Sequence, residues 1–289
     1  MHHGYLWIAI GLAACGGAAH PDGGRVNVPT GVWQREWIRR HGGAPDHSVA
    51  VRYVQTPSVF GDLRIRDSRP DLASATSLAD LSDDQLGQLA RQNGFAGVTT
   101  MAGANATWHH EIDFQPGDGS PDVGRIEAAG EGAMLEHALD DAYVERWTFV
   151  PRTAGPEAGA FAVRVVRDER TTQLLAVAGQ RFVYARARSH PLPAGESLTE
   201  LIARNHPGRD ALLAWLDCEI SYGAAHDWRI ESSTLPWLQG KRLVFADLLA
   251  IGADGRPFAR APSPGEQWSF PVDTLPPDER LAMFGPHTP

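Results

Sequence analysis

Residues 60–70 read Phe60-Gly61-Asp62-Leu63-Arg64-Ile65-Arg66-Asp67-Ser68-Arg69-Pro70, and residues 182–191 read Phe182-Val183-Tyr184-Ala185-Arg186-Ala187-Arg188-Ser189-His190-Pro191. An internal repeat constrains architecture before any single element is assigned, since each copy must build the same unit. Further echoes follow in the same order. The stretch Leu78 to Asn93, closed by Gly94, has helical character, as does Glu196 to Arg204. Trp108-His109-His110-Glu111-Ile112-Asp113-Phe114 is answered by Trp215 to Tyr222, Arg125-Ile126-Glu127 by Arg229-Ile230-Glu231, and Glu145 to Phe149 by Glu266 to Phe270. The spacing is unequal, as an old duplication with loop insertions leaves it.

Within a unit the apolar residues alternate with period two between turn residues, which is the signature of half-buried strands. Val49, Val51 and Tyr53 share one face, and Trp108, His110, Ile112 and Phe114 share another. Pro116-Gly117-Asp118-Gly119-Ser120-Pro121 and Ala253-Asp254-Gly255 supply turns, because glycine accepts positive φ and Asp bonds its own backbone. Short strands with one inserted helix predict an antiparallel meander that closes on itself to remove its edges. The expected organisation is a leader and tether at 1–30, barrels at 31–152 and 160–275, and a free tail at 276–289.

The run Val32 to Ile38, the run Gln55 to Ile65 and the strand Trp108 to Gln115 together resemble an uncharacterised bacterial group of two-domain, lipocalin-like proteins related to fungal two-barrel ones. The resemblance covers nearly all of the chain after Val32, and Gly31-Val32-Trp33 is similar to the lipocalin opening Gly-x-Trp. It implies a mainly β fold of two tandem antiparallel lipocalin-like (calycin-type) barrels, each with one short helix, and implies no activity.

Residues Tyr5 to Ala14 form an apolar run too short to span a bilayer but suited to a signal-peptide core. It ends in Leu12-Ala13-Ala14-Cys15-Gly16-Gly17, which resembles a bacterial lipobox. That resemblance implies acylation of Cys15 and a membrane-anchored lipoprotein in the periplasm or outside the cell. The preceding Met1-His2-His3-Gly4 lacks the usual positive charge, so a cytoplasmic protein with a misassigned start is the alternative. The other cysteine, Cys218, lies between Asp217 and Glu219, where carboxylates raise a thiol's pKa, and reads as passive.

The chain has 289 residues and a formal net charge of −9. That balance, without clustered Arg and aromatics, argues against nucleic acid as a partner, since such binding rests on neutralising phosphates. Lys241 is the sole lysine, and it lacks the glycine-rich loop of a phosphate cradle. No Gly-x-Ser-x-Gly or dinucleotide fingerprint occurs, and no cofactor is expected.

Candidate chemistry concentrates in the first unit. His109, Glu111, Asp113 and Gln115 stand at spacing two and project alike. They could meet a ligand together, although a solvated outer face accounts for the same parity. His109 or His110 with Glu111 or Asp113 is the one plausible acid-base cluster, and the second unit has Leu216 and Asp217 in place of the histidines. His109-x-Glu111 lacks the Pro-Cys-x-x-Cys of a zinc deaminase; His109, Glu111 and Asp113 could ligate a metal, but a stable site needs ligands from a second element and none is identified, so no metal is expected. Gln55, Asp62, Arg64 and Tyr143 are the candidate ligand-binding residues. Arg64, Asp62 and Glu127 could instead tie neighbouring strands together, and Trp33, Trp37, Trp108, Trp147, Trp215 and Trp268 read as core. The leading expectation is a carrier or sensor holding a small, largely apolar molecule in the first barrel, with the second as support and the oligomeric state left open. The rivals are an isomerase, hydratase or hydrolase using His109 or His110 with Arg64 steadying an anion, and a structural or adaptor lipoprotein.

Overall fold

The computed structural model describes residues 29–72, 74–117, 119–150, 159–192 and 197–285. Cys15 and the lipobox-like segment lie outside the described residues. Eight strands, β1 (Gly31–Arg40), β2 (Val49–Gln55), β3 (Val59–Arg66), β4 (Asn93–Ala102), β5 (Asn105–Asp113), β6 (Asp122–Ala128), β7 (Ala133–Ala138) and β8 (Tyr143–Phe149), each pair antiparallel with the next. β8 returns to β1, so the sheet closes into a barrel without edges. Helix α1 (Asp83–Leu89) lies in the β3–β4 connection and begins at Ser82, whose capping box with Gln85 satisfies two backbone donors. Only this part of the predicted helix at 78–93 forms as an α-helix.

The second unit is an open sheet where a second barrel was expected. β9 (Ala160–Arg167), β10 (Arg170–Ala178), β11 (Arg181–Arg186), β12 (Glu219–Ala224), β13 (Arg229–Ser233) and β16 (Gln267–Asp273) form it in the order β13-β12-β11-β10-β9-β16. The neighbour order matches β5-β4-β3-β2-β1-β8 of the barrel, so six of the eight strands recur in position. Between β13 and β16, where the barrel has β6 and β7, the chain makes two 3-10 turns and the small hairpin β14 (Leu249–Ile251) and β15 (Pro257–Ala259). The β11–β12 connection carries two helices, α2 (Leu198–Asn205) and α3 (Arg209–Leu216), not one.

This topology corrects two of the sequence pairings. Trp215 sits in α3, so the strand that takes the place of β5 is β13 and not the segment beginning at Trp215. Arg229 to Glu231 therefore answers β5, and the resemblance to Arg125 to Glu127 in β6 is a coincidence of composition. The expected free tail is also corrected: residues 277–284 form α4 (Pro277–Phe284), and Met283 and Phe284 are buried under the second sheet.

Three apolar layers follow from strand alternation. Trp33, Val51, Tyr53, Phe60, Phe95, Trp108, Met134 and Trp147 fill part of the barrel. On its outer face Val54, Leu63, Ala96, Ile112 and Phe114 pack against Leu174, Ala176, Val183, Ala185 and Ile220 of the second sheet. The far face of that sheet, with Phe161, Val163, Leu175 and Phe182, is closed by Trp228, Phe245 and α4.

A β-bulge in β5 breaks the predicted alternation. Ala96 pairs with Ile112 but Gly97 pairs with His110, leaving Glu111 as the extra residue. Trp108 and His110 consequently face the barrel interior while Ile112 and Phe114 face the second sheet. Gly97 permits this: a Cβ there would lie 1.9 Å from the His109 carbonyl oxygen. Gly223 in β12 faces the corresponding bulge, its added Cβ 2.0 Å from the Arg229 carbonyl oxygen. Gly97→Ala should therefore destabilise the protein by roughly 2 kcal/mol or more, as overpacking against rigid backbone does, and urea denaturation reads this as a lower midpoint; an unchanged midpoint contradicts the bulge.

Candidate functional site

The barrel interior retains a cavity of about 360 Å³, within the range of small-molecule sites. Its walls are the rings of Tyr53, Phe95, Trp108, Tyr143 and Trp147 with Ile38 and Met134, and its charged lining is Asp62, Arg64, Asp122, Glu136 and Glu145, with Arg40 at the rim. Asp62, Glu136, Glu145 and Arg40 each lie two positions from an inward apolar or aromatic residue on their own strand: Phe60, Met134, Trp147 and Ile38. Period two carries both kinds of side chain into the same space.

Arg64 donates to both oxygens of Asp62, Nε to Oδ1 at 2.9 Å and Nη2 to Oδ2 at 3.2 Å, and lies 4.9 Å above the Phe95 ring. Burial opposes its charge, but Asp62 and the other carboxylates outweigh this and hold the guanidinium protonated. Glu136 and Glu145 face each other directly across the β7–β8 pair, 6 % and 2 % exposed. Tyr143 donates its hydroxyl to Glu136 at 3.0 Å, and Arg35 pairs with Glu145 Oε1. Burial, then the nearby Glu145 charge, pushes the Glu136 carboxyl above the ordinary carboxylate range. Two buried polar atoms in this lining, Glu145 Oε2 and Trp147 Nε1, have no hydrogen-bond partner among the described residues.

At the neck, His110 stacks on Phe95 with ring centroids 4.0 Å apart and an interplanar angle of 13°. Its Nδ1 is 2.7 Å from Asp113 Oδ2 and its Nε2 3.0 Å from Asp122 Oδ2, with the side chain 24 % exposed. Burial alone would lower its pKa, but the two hydrogen bonds and the two charges prevail and raise it to about 9. At neutral pH His110 is a cation donating from both nitrogens, a latch between the end of β5 and the start of β6. Outside it, a wider groove of about 920 Å³ runs from the barrel mouth toward Ser197 and Thr199 beside α2, and shares Asn93, Phe95, His110 and Asp122 with the cavity.

The expected site residues divide as follows. Asp62, Arg64 and Tyr143 line the cavity, and His110 and Asp113 form its neck. Gln55 is fully buried beneath it, accepting from Tyr53 and, at 3.0 Å, from Thr99. His109 and Glu111 are corrected: both face outward. His109 is exposed and bonded to Thr100 at 2.9 Å. Glu111 accepts from Arg164 at 2.6 Å and from Thr171 at 2.7 Å, so it grips the second sheet. The four acid-base groups predicted as one cluster thus lie on opposite sides of the barrel wall: alternation sets His110 opposite His109, and the bulge at Glu111 brings Asp113 to the side of His110. Arg64, expected as a tie between neighbouring strands, bonds Asp62 of its own strand. From the second unit Arg188 donates to the carbonyls of Asp113 and Phe114 at 3.1 and 2.7 Å, holding the end of β5. Cys218 is buried, with its thiol pushed up to about 11 by that burial. Glu136, Glu145, Arg35 and Asp122 were missed; the readable signal was a charged residue sharing parity with Met134, Trp147 or Trp33.

A pKa held above the ordinary histidine value means that the latch's contribution to stability is complete below about pH 6.5 and lost as pH rises through about 9. His110→Gln should accordingly cost stability at pH 6 and little above pH 9–10, and the imidazole 15N shifts should titrate near 9; a midpoint near 6.5 contradicts the latch.

No protein-family model and no curated protein matches the chain. Among solved structures it is similar to an uncharacterized Saccharomyces cerevisiae protein, YLR301w, at 12 % identity and a TM-score of 0.47, over 84 % of this chain and 98 % of that one. The likeness concerns the course of the chain and carries nothing about the cavity.

Proposed function

We propose that the closed barrel is a lipocalin-like binding site for one small molecule, largely apolar in body with one polar end, and that the second unit serves as its support. The observation that carries this reading is the pair Glu145 Oε2 and Trp147 Nε1, a buried acceptor and a buried donor on two cavity-lining residues, without a hydrogen-bond partner among the described residues. Buried polar atoms left unpaired cost about 1–3 kcal/mol each, a penalty that an occupant meeting both would remove. The aromatic and aliphatic walls suit an apolar body. Arg188 and Arg164, which grip the end of β5 from the second unit, fit the supporting role.

Acid-base catalysis has less behind it: His109 is outside the barrel, and both nitrogens of His110 are committed to carboxylates. The descent from tandem lipocalin-like barrels belongs to the same proposal, supported by the recurring strand order, with the second barrel opened by loss of two strands. So does membrane anchoring through Cys15, which palmitate labelling tests; equal labelling of Cys15→Ser would end it.

Native mass spectrometry of protein purified from its host tests the binding site. The expected result is a non-covalent adduct on the folded chain that disappears in Met134→Trp, where the larger ring fills the cavity. An adduct that persists in a folded Met134→Trp protein, or its absence from the wild type, contradicts the reading.

A further inference from the structure

Resting on that reading of the barrel as a ligand site, the chemistry of the cavity narrows what the polar end can be. The deep part holds three carboxylates, Asp62, Glu136 and Glu145, against two guanidiniums, Arg35 and Arg64. Both forks are engaged: Arg64 by both oxygens of Asp62, Arg35 by one oxygen of Glu145. Arg40, at the rim, is paired outward with Asp46 at 3.6 Å. At the neck, Asp113 and Asp122 share the single charge of His110. With every group ionised, the cavity and its neck each hold one negative charge in excess. The excess is greatest where Glu136 meets Glu145, two carboxylates directly opposed on neighbouring strands, and like charges so placed repel at close range.

Two further features favour a positive guest there. Glu145 Oε2 is an acceptor in need of a donor, and Trp108, Trp147 and Tyr53 surround the same space with ring faces that attract cations. Trp147 Nε1 is a donor in need of an acceptor, which a hydroxyl elsewhere on the guest would supply.

We propose that the occupant's polar end is a protonated amine seated between Glu136 and Glu145, so that the barrel selects small organic cations over neutral or anionic molecules of the same shape. In the empty barrel the excess charge at Glu136 is met by a proton. Glu136 is faced by Tyr143 and Glu145 from β8, Arg64 from β3, Trp108 from β5 and Asp122 from β6. An ammonium group beside it replaces that proton, and binding near neutral pH releases hydrogen ion to the buffer.

Isothermal titration calorimetry of the full chain with phenethylamine and tyramine, against 2-phenylethanol as the neutral isostere and phenylacetate as the anion, tests this. The amines should bind at least tenfold more tightly than the alcohol. Their heats should change with the ionisation enthalpy of the buffer, and they should move the Trp147 indole N–H resonance, assigned with Trp147→Phe. Glu145→Gln and Glu136→Gln should each reduce amine affinity to about that of the alcohol while leaving the alcohol's own affinity in place. If the alcohol or phenylacetate binds as well as the amines, or the amines bind without moving the indole resonance, the inference falls and the ligand site stands. If no probe of any charge moves that resonance and host-purified protein carries no adduct, both fall.

Discussion

The extra residue that β5 accommodates opposite Gly97 sets what each side of the barrel wall presents. Before the bulge, strand parity sends Trp108 and His110 inward. After it, Ile112 and Phe114 face out into the apolar layer shared with the second sheet, and Glu111, the inserted residue, is held there by Arg164 and Thr171. Regular alternation through Glu111, with no bulge to absorb it, would turn Ile112 and Phe114 into the cavity and leave the interface without two of its apolar contacts, because a one-residue slip exchanges the faces of a strand. The cavity and the docking of the two units therefore rest on a single local irregularity, which the glycine makes sterically possible.

From that point the rest follows by ordinary packing. The second sheet repeats six of the barrel's eight strands in the same neighbour order, including a bulge facing Gly223, but lays one face on the barrel and the other on α4 and Trp228. It is buried on both sides and needs no closure of its own. The barrel retains a cavity beside its apolar filling, and the charged residues lining it are arranged in pairs that stop short of neutrality.

Much of the fold was legible in the sequence. Alternation around Val51, Tyr53 and Trp108 gave strands, and the echo of Phe60 to Pro70 at Phe182 to Pro191 correctly paired β3 with β11. The echo starting at Trp215 misled because short motifs of aromatic and carboxylate residues recur by composition, and only pairing partners distinguish β12 from β13. The open second sheet was hidden because closure depends on long-range pairing that no local pattern encodes. In the candidate site, Asp62, Arg64 and Tyr143 were read from the sequence, whereas Asp113 was assigned the face of His109 and Glu111 by a parity rule that a bulge suspends, and the face those two share is the outer one. Glu136 and Glu145 went unread although each stands two residues from an inward apolar side chain; a carboxylate in phase with the core is the pattern that would have found them.

Whether the barrel encloses a guest beside Glu145 and Trp147 can be read from a crystal structure of the protein as purified from its host. Electron density for a non-protein molecule is expected in the barrel, within hydrogen-bond distance of Glu145 Oε2. A barrel whose interior is closed by its own side chains, with Glu145 Oε2 and Trp147 Nε1 bonded to protein groups, would contradict it.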